Sequence, residues 1–227
     1  MPLNLTESFL LIAQHPSKSR LYINGVPLQH GIIGSLLLEL SLEERLEIKD
    51  GKLMPGERKN QPDTLLAEIE DMIRSSTKPK KVKHWLTRLA GKSNRYKWFI
   101  FEKMEKKRLV RIEKRKFLGL IPYRITSLTG RKQRTSLIRD FKQALYKKEN
   151  LNEKAMMLLG LVHACSLHKA FTDDRKERRK LKKDLKKFMD ENPLTDAIGK
   201  TIKEVQAAVM VSIMAATAAS TTTTSGH

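Results

Sequence analysis

The sequence predicts a mainly α, single globular domain: a central helix bundle surrounded by amphipathic helices, with small wing-like β-hairpin elements between them. Three observations predict it. One apolar segment carries leucines around nearly its whole helical circumference, several others repeat apolar residues at helical spacing, and only short stretches alternate apolar with polar residues as strands do. The 227 residues suffice for one sizeable core and demand no second domain. Residues 1–219 are therefore read as the domain, and the polar Thr/Ser run 220–227 as a disordered tail.

In chain order, Thr6 is read as the cap of a first helix bearing Phe9, Leu10, Ile12 and Ala13. The loop 15–30, with Pro16, Gly25 and Pro27, ends it. Residues 31–46 follow as a helix whose Leu36, Leu37, Leu38, Leu40 and Leu42 point all round, so other helices must enclose it. Gly31 and Gly34 at its start suit close helix packing, and lack the Lys and Ser/Thr of a phosphate loop. Leu46-Glu-Ile-Lys then alternates before Asp50-Gly51, the pattern of a tight hairpin. Leu65, Leu66, Ile69, Met72 and Ile73 mark a helix over 63–75, and Val82, Trp85, Leu86 and Leu89 another ahead of Gly91. A fifth helix spans 93–108. Strand-like runs over 109–113 and 117–126 come next, with Lys114-Arg-Lys as their turn, so a helix followed by a hairpin makes a winged element. Further helices are expected over 134–148, 153–171, 174–189 and 195–219.

Charge narrows the function. With 45 Lys and Arg against 25 Asp and Glu, the net charge of +20 predicts attraction to polyanions, either nucleic acid or an anionic membrane face. The first 14 residues lack the pattern of a secretory signal, and the single Cys165 excludes an intrachain disulfide framework. The expected location is cytoplasmic, reversibly associated with a membrane surface. The apolar run 205–219 would reach only about 23 Å as a helix, against about 30 Å of hydrocarbon. It is read as a core helix.

No enzyme motif is present, and no cofactor or metal is expected. His163, Cys165 and His168 would diverge on one continuous helix, Cys165 about 200° and His168 about 140° around from His163, and zinc spacings are absent. Of the basic tracts, 175–187 interleaves Leu181, Leu185 and Phe188 and reads as the solvated face of a packed helix. Arg131, Lys132, Arg134 and Arg139 are more specific, because they fall where the wing passes into a helix amino terminus. Free N–H groups, the helix dipole and forked guanidinium donors together favour a phosphate there. These four are the candidate headgroup/phosphate-binding residues, and anionic membrane lipid headgroups the expected partner. A winged-helix-like nucleic-acid-binding protein is the alternative, disfavoured because no exposed helix rich in Arg, Asn and Gln offers base readout.

Several blocks then carry a resemblance: Leu5-Thr-Glu-Ser-Phe-Leu-Leu-Ile12, the run from Gly31-Ile-Ile-Gly34 to Glu43-Glu-Arg-Leu46, Lys78-Pro-Lys-Lys-Val-Lys-His-Trp85, Glu113-Lys-Arg-Lys-Phe-Leu-Gly-Leu-Ile-Pro-Tyr123 and Leu161-Val-His-Ala-Cys165. Together, in this order, they resemble the Golgi phosphoprotein 3 family, and the stretch 117–123 is especially like its bacterial members. The resemblance implies a largely helical domain and a peripheral membrane protein that binds phosphatidylinositol 4-phosphate and the cytosolic tails of glycosyltransferases, with no catalytic residue. It places the family's phosphate-site Trp near Ile23 or Asn24 and its Arg at Ile33. The two basic positions after the wing fall at Arg139 and about Ser136, with Arg131, Lys132 and Arg134 close by. The tetramer-forming hairpin of eukaryotic members has no counterpart between Lys148 and Glu153.

Overall fold

A computed structural model of the chain describes residues 3–57, 63–148, 152–191 and 197–222. In order they form α1 (Leu5–Ala13), α2 (Gly25–Leu42), β1 (Leu46–Lys49), β2 (Lys52–Pro55), α3 (Thr64–Arg74), β3 (Lys80–Lys81), α4 (Val82–Ala90), α5 (Ser93–Lys106), β4 (Val110–Phe117) and β5 (Ile121–Leu128). Then come α6 (Arg131–Lys147), α7 (Glu153–Ala164), a 3-10 turn (Leu167–Ala170), α8 (Arg175–Glu191) and α9 (Ala197–Thr222).

Helix α2 is the axis of the bundle, with α1, α4, α5, α7 and α9 packed around it. Its leucines point all round because every side is enclosed: Ile33, Leu37, Leu38 and Leu40 are wholly buried. Each buried Leu contributes roughly 1.5–3 kcal/mol. The glycine expectation holds. A Cβ on Gly34 would lie 2.9 Å from Val209 Cγ2 on α9, and one on Gly31 would collide with the Phe9 ring and lie 2.9 Å from Cys165 Sγ. Both positions set how near the neighbouring elements approach.

Several boundaries differ from the sequence reading, each for a local reason. Helix α1 is capped by Asn4, whose Oδ1 accepts from Glu7 N while Glu7 accepts from Asn4 N, a reciprocal capping box. Thr6 is instead buried and donates to Glu39 Oε2 at 3.0 Å, tying α1 to α2. Helix α2 starts at Gly25, six residues early, because Pro27 falls in the first turn, where its missing N–H has no intrahelical partner to lose. It ends at Leu42, leaving Leu46 to open β1. β1 and β2 form the expected hairpin, and β3 adds a third antiparallel strand by pairing Lys80 and Lys81 with Leu53 and Lys52.

The wing is longer than expected. β4 and β5 pair without interruption from Val110↔Leu128 to Phe117↔Ile121, so Lys114, Arg115 and Lys116 lie within a strand. The turn falls instead at Leu118-Gly119-Leu120, with positive φ at Leu118 (47°) and Gly119 (74°). Helix α7 stops at Ala164, where Ser166 takes φ 52° and a 3-10 turn follows, in place of one helix over 153–171. Helix α9 continues through residues 220–222; the remainder of the expected tail, 223–227, and the expected start of the last helix at Thr195 lie outside the described residues. Among the described residues no helix is long and apolar enough to cross a membrane.

Candidate functional site

The chain between α1 and α2 is a built loop. His15 N donates to Arg20 O at 3.0 Å, and Tyr22 N to Ala13 O at 2.8 Å. Inside this reversal His15 Nδ1 accepts from the backbone N–H groups of Ser17 (3.1 Å) and Lys18 (3.0 Å). Gln14 fastens the loop to β5: its Nε2 donates to Arg20 O and Thr126 O, and its Oε1 accepts from Thr126 Oγ1 at 2.7 Å. The loop thereby becomes one wall of a cleft of about 840 Å³, whose other walls are α5, β5 and the segment after α7.

Cations line this cleft: Lys18 and Arg20 from the loop, Lys97 from α5, Arg124 from β5, and Lys169 from the 3-10 turn. Among the described residues, Asp173 is the only lining carboxylate. Arg124 pairs with exposed Glu102 at 3.0 Å and lies 4.2 Å from the centre of the Trp98 ring, with Lys97 Nζ 4.9 Å from the same ring. Among the described residues Lys18, Arg20, Lys97 and Lys169 have no carboxylate partner, unlike Lys107 on Glu7 or Arg74 on Glu70. Burial, with Arg124 adding its repulsion, holds the Lys97 ammonium below the usual lysine range. A bound anion would favour the charged form and so oppose this lowering.

The imidazole of His15 stacks on Tyr22 at 4.8 Å between centroids, and burial, then Arg20 and Lys18, lower its pKa. Burial raises the pKa of Tyr22. Both rings form the cleft's uncharged side.

Of the four residues singled out from the sequence, all on α6, one is buried and three are exposed. Arg134 is buried, 8% exposed, and its Nη2 donates to Ile12 O at 3.2 Å and Ala170 O at 2.8 Å. That corrects its expected role as a surface contact: it pins α6 to the ends of α1 and the 3-10 turn. Its guanidinium lies 5.9 Å from the Tyr22 ring, so its charge reaches the cleft from behind. Arg131 and Lys132 are exposed in the first turn of α6, and Arg139 donates to Ser136 Oγ at 2.9 Å and pairs with Asp140 at 3.2 Å. None of the four lines the cleft. Of the positions taken from the resemblance, Ile23 and Asn24 do line it, whereas Ile33 lies wholly in the core. Sequence reasoning missed Lys18, Arg20, Lys97, Arg124 and Lys169, which come from separate segments and form no run. Lys97-Trp98 and Tyr123-Arg124, each a cation beside an aromatic, were local hints.

Beyond the cleft, β5 leads into the hairpin tip. There Leu118 and Leu120 are 82% and 83% exposed, and Phe117 and Ile121 are also exposed. Lys114, Arg115 and Lys116 flank them.

The early end of α7 changes one further expectation. His163 and His168, separated on an uninterrupted helix, bring their rings to 6.2 Å. Both are lowered in pKa by burial first, His168 to about 4, and Cys165 is pushed up to about 12. Its thiol is protonated and buried. Among the described residues no group of three His, Cys, Asp or Glu side chains could hold a metal ion.

This architecture defines a mainly α domain with a wing and a cation-lined cleft. The model of one family, Golgi phosphoprotein 3 (GPP34), matches residues 5–205, and the chain belongs to that family, which is not a known enzyme family. No curated protein matches the chain.

Proposed function

We propose that this is a peripheral membrane protein that holds anionic lipid headgroups in the cleft while the hairpin tip enters the bilayer interface. The observation that carries this is a walled cleft of cations without carboxylate partners, Lys18, Arg20, Lys97 and Lys169, whose β5 wall runs on into an exposed apolar tip. From Arg124 to Ile121 is three residues, or about 10 Å of strand, comparable to the roughly 5–10 Å by which interfacial segments enter a bilayer. Each Lys or Arg near an anionic surface contributes on the order of 1 kcal/mol, screened by salt over about 10 Å at 0.1 M.

A phosphatidylinositol 4-phosphate-like headgroup fits this charge, with Lys97 and Arg124 supplying cations where Asn24 and Ile33 supply none. Resemblance to bacterial members makes phosphatidylglycerol and cardiolipin the other candidates. Arg131, Lys132 and Arg139 would add peripheral attraction from α6, and cytosolic tails of membrane proteins are the expected clients of an adaptor of this kind. Leu118 and Leu120 at the wing tip speak against the nucleic-acid alternative, since a wing that contacts phosphates needs polar or basic groups there.

Flotation with phosphatidylcholine vesicles carrying each of the three anionic lipids at moderate salt tests this. Retention on at least one lipid, weakened by added salt, is expected; absence from all three overturns it. Tight, sequence-selective retardation of a nucleic acid would overturn it in favour of the alternative.

A further inference from the structure

Asp173 and Asn24 are exposed polar side chains of the cleft that no hydrogen bond among the described residues ties to the fold. Asp173 makes no hydrogen bond or ion pair among the described residues, although its neighbours are fully committed: Glu177 N donates to Asp174 Oδ1 at 2.7 Å, Asp174 N donates to Thr172 Oγ1, and Thr172 Oγ1 donates to Glu177. Helix α8 is thus capped without it. Asn24 stands at the cap position of α2, yet its side chain makes no capping bond and faces the cleft.

A site for a bare anion gains nothing from a carboxylate, which repels the ligand that Lys97, Arg124 and Lys169 attract. A carboxylate accepts hydroxyl donors through two oxygens, and an amide both donates and accepts. The rings of His15 and Tyr22, the nearby aromatic Trp98 and a volume of about 840 Å³ leave room for a compact polyol beside the phosphate-binding cations.

We propose that Asp173, with Asn24, is the specificity-determining element of the cleft: it accepts hydroxyl groups of the headgroup, so the site selects a lipid phosphate esterified to a polyol over one of equal charge without hydroxyls. This rests on the membrane-binding function proposed above. The probe pair is phosphatidylglycerol and phosphatidylpropanol, which share a single negative charge and a three-carbon headgroup and differ in two hydroxyls.

The wild-type protein is expected to favour phosphatidylglycerol vesicles by about 10-fold, the scale of one hydrogen bond to a charged group. Asp173→Ala should bring the ratio near one by losing the preference, while binding to phosphatidylpropanol stays level or rises with removal of a negative charge. Asn24→Ala should lower the ratio less. Equal wild-type binding to the two lipids, or an unchanged ratio in Asp173→Ala, overturns the inference. If free glycerol 3-phosphate is preferred over propyl phosphate while the two vesicles are bound alike, the commitment to a lipid source is overturned. A parallel Lys97→Ala/Arg124→Ala variant tests the cleft by itself: retention on both lipids at the wild-type level shows that the headgroup docks outside the cleft, whatever the ratio does, whereas absence of the wild type from both lipids overturns the membrane-binding function.

Discussion

Arg134 and Lys97 are both cations with lowered pKa values from burial, and they have opposite jobs. Arg134 gives hydrogen bonds to the buried carbonyl groups of Ile12 and Ala170, so Arg134→Ala should cost about 1–3 kcal/mol of stability. A urea midpoint well below the wild type is expected, whereas Lys97→Ala should leave it nearly unchanged. No pattern in the sequence distinguishes these two residues. Arg134 was legible only as one of a basic group at a helix start, and what separates it from Arg131 is a long-range contact with Ile12 and Ala170. The histidines give a pH dependence at the same scale. The pKa of His168 falls from its ordinary 6.5 to about 4 on folding, and those of His163 and His30 also fall, burial being the first cause in each. The unfolded chain therefore binds more protons as acid is added. The stabilisation from a neutral His168 is complete above about pH 6.5 and is lost as pH falls toward 4, a loss on the order of 2–3 kcal/mol. Urea midpoints measured from pH 7.5 to 4.5 should decline over that window, and less steeply in His168→Gln.

At the scale of elements, the bundle was largely legible because enclosure writes itself into the sequence. The all-round leucines of α2 and the apolar faces of α3, α4 and α8 were read correctly from spacing. What escaped was chain reversal. The sequence places the wing turn at the polar Lys114-Arg-Lys, but Leu118 and Gly119 take the left-handed backbone instead and leave two leucines at the tip. The break in α7 escaped for a similar reason, since Ser166 is an ordinary residue held at positive φ by its surroundings. These departures matter for function. In the proposed function the exposed apolar turn is the anchor, and Leu118→Asp/Leu120→Asp should remove it without lowering thermal stability, because both side chains are solvated. Vesicle retention at high salt, where electrostatic attraction is screened, should fall by more than 10-fold. Equal retention of this variant and the wild type at high salt would show that the tip stays outside the bilayer.

For the whole molecule, a net charge of +20 predicts a polyanion partner class but not where such a partner docks. The conspicuous run is on α8, while the cleft assembles from a loop, a helix, a strand and a 3-10 turn far apart in sequence. Folding creates that cluster, so linear charge patterns do not reveal it. The central claim is that this assembled cleft, more than total charge, captures the membrane. Replacing Lys97 and Arg124 removes only two of 45 basic residues, so a polycation would hardly notice. Flotation on vesicles containing anionic lipid at about 0.1 M salt, where the Debye length is about 10 Å, compares three proteins directly: wild type, Lys97→Ala/Arg124→Ala, and a control in which two lysines of the α8 run, Lys183 and Lys187, become Ala. The account predicts that the cleft variant loses about 10-fold or more in retention while the α8 control floats like the wild type, two cations being worth on the order of 2 kcal/mol at the surface. Equal losses in the two variants, or none in the cleft variant, would contradict it.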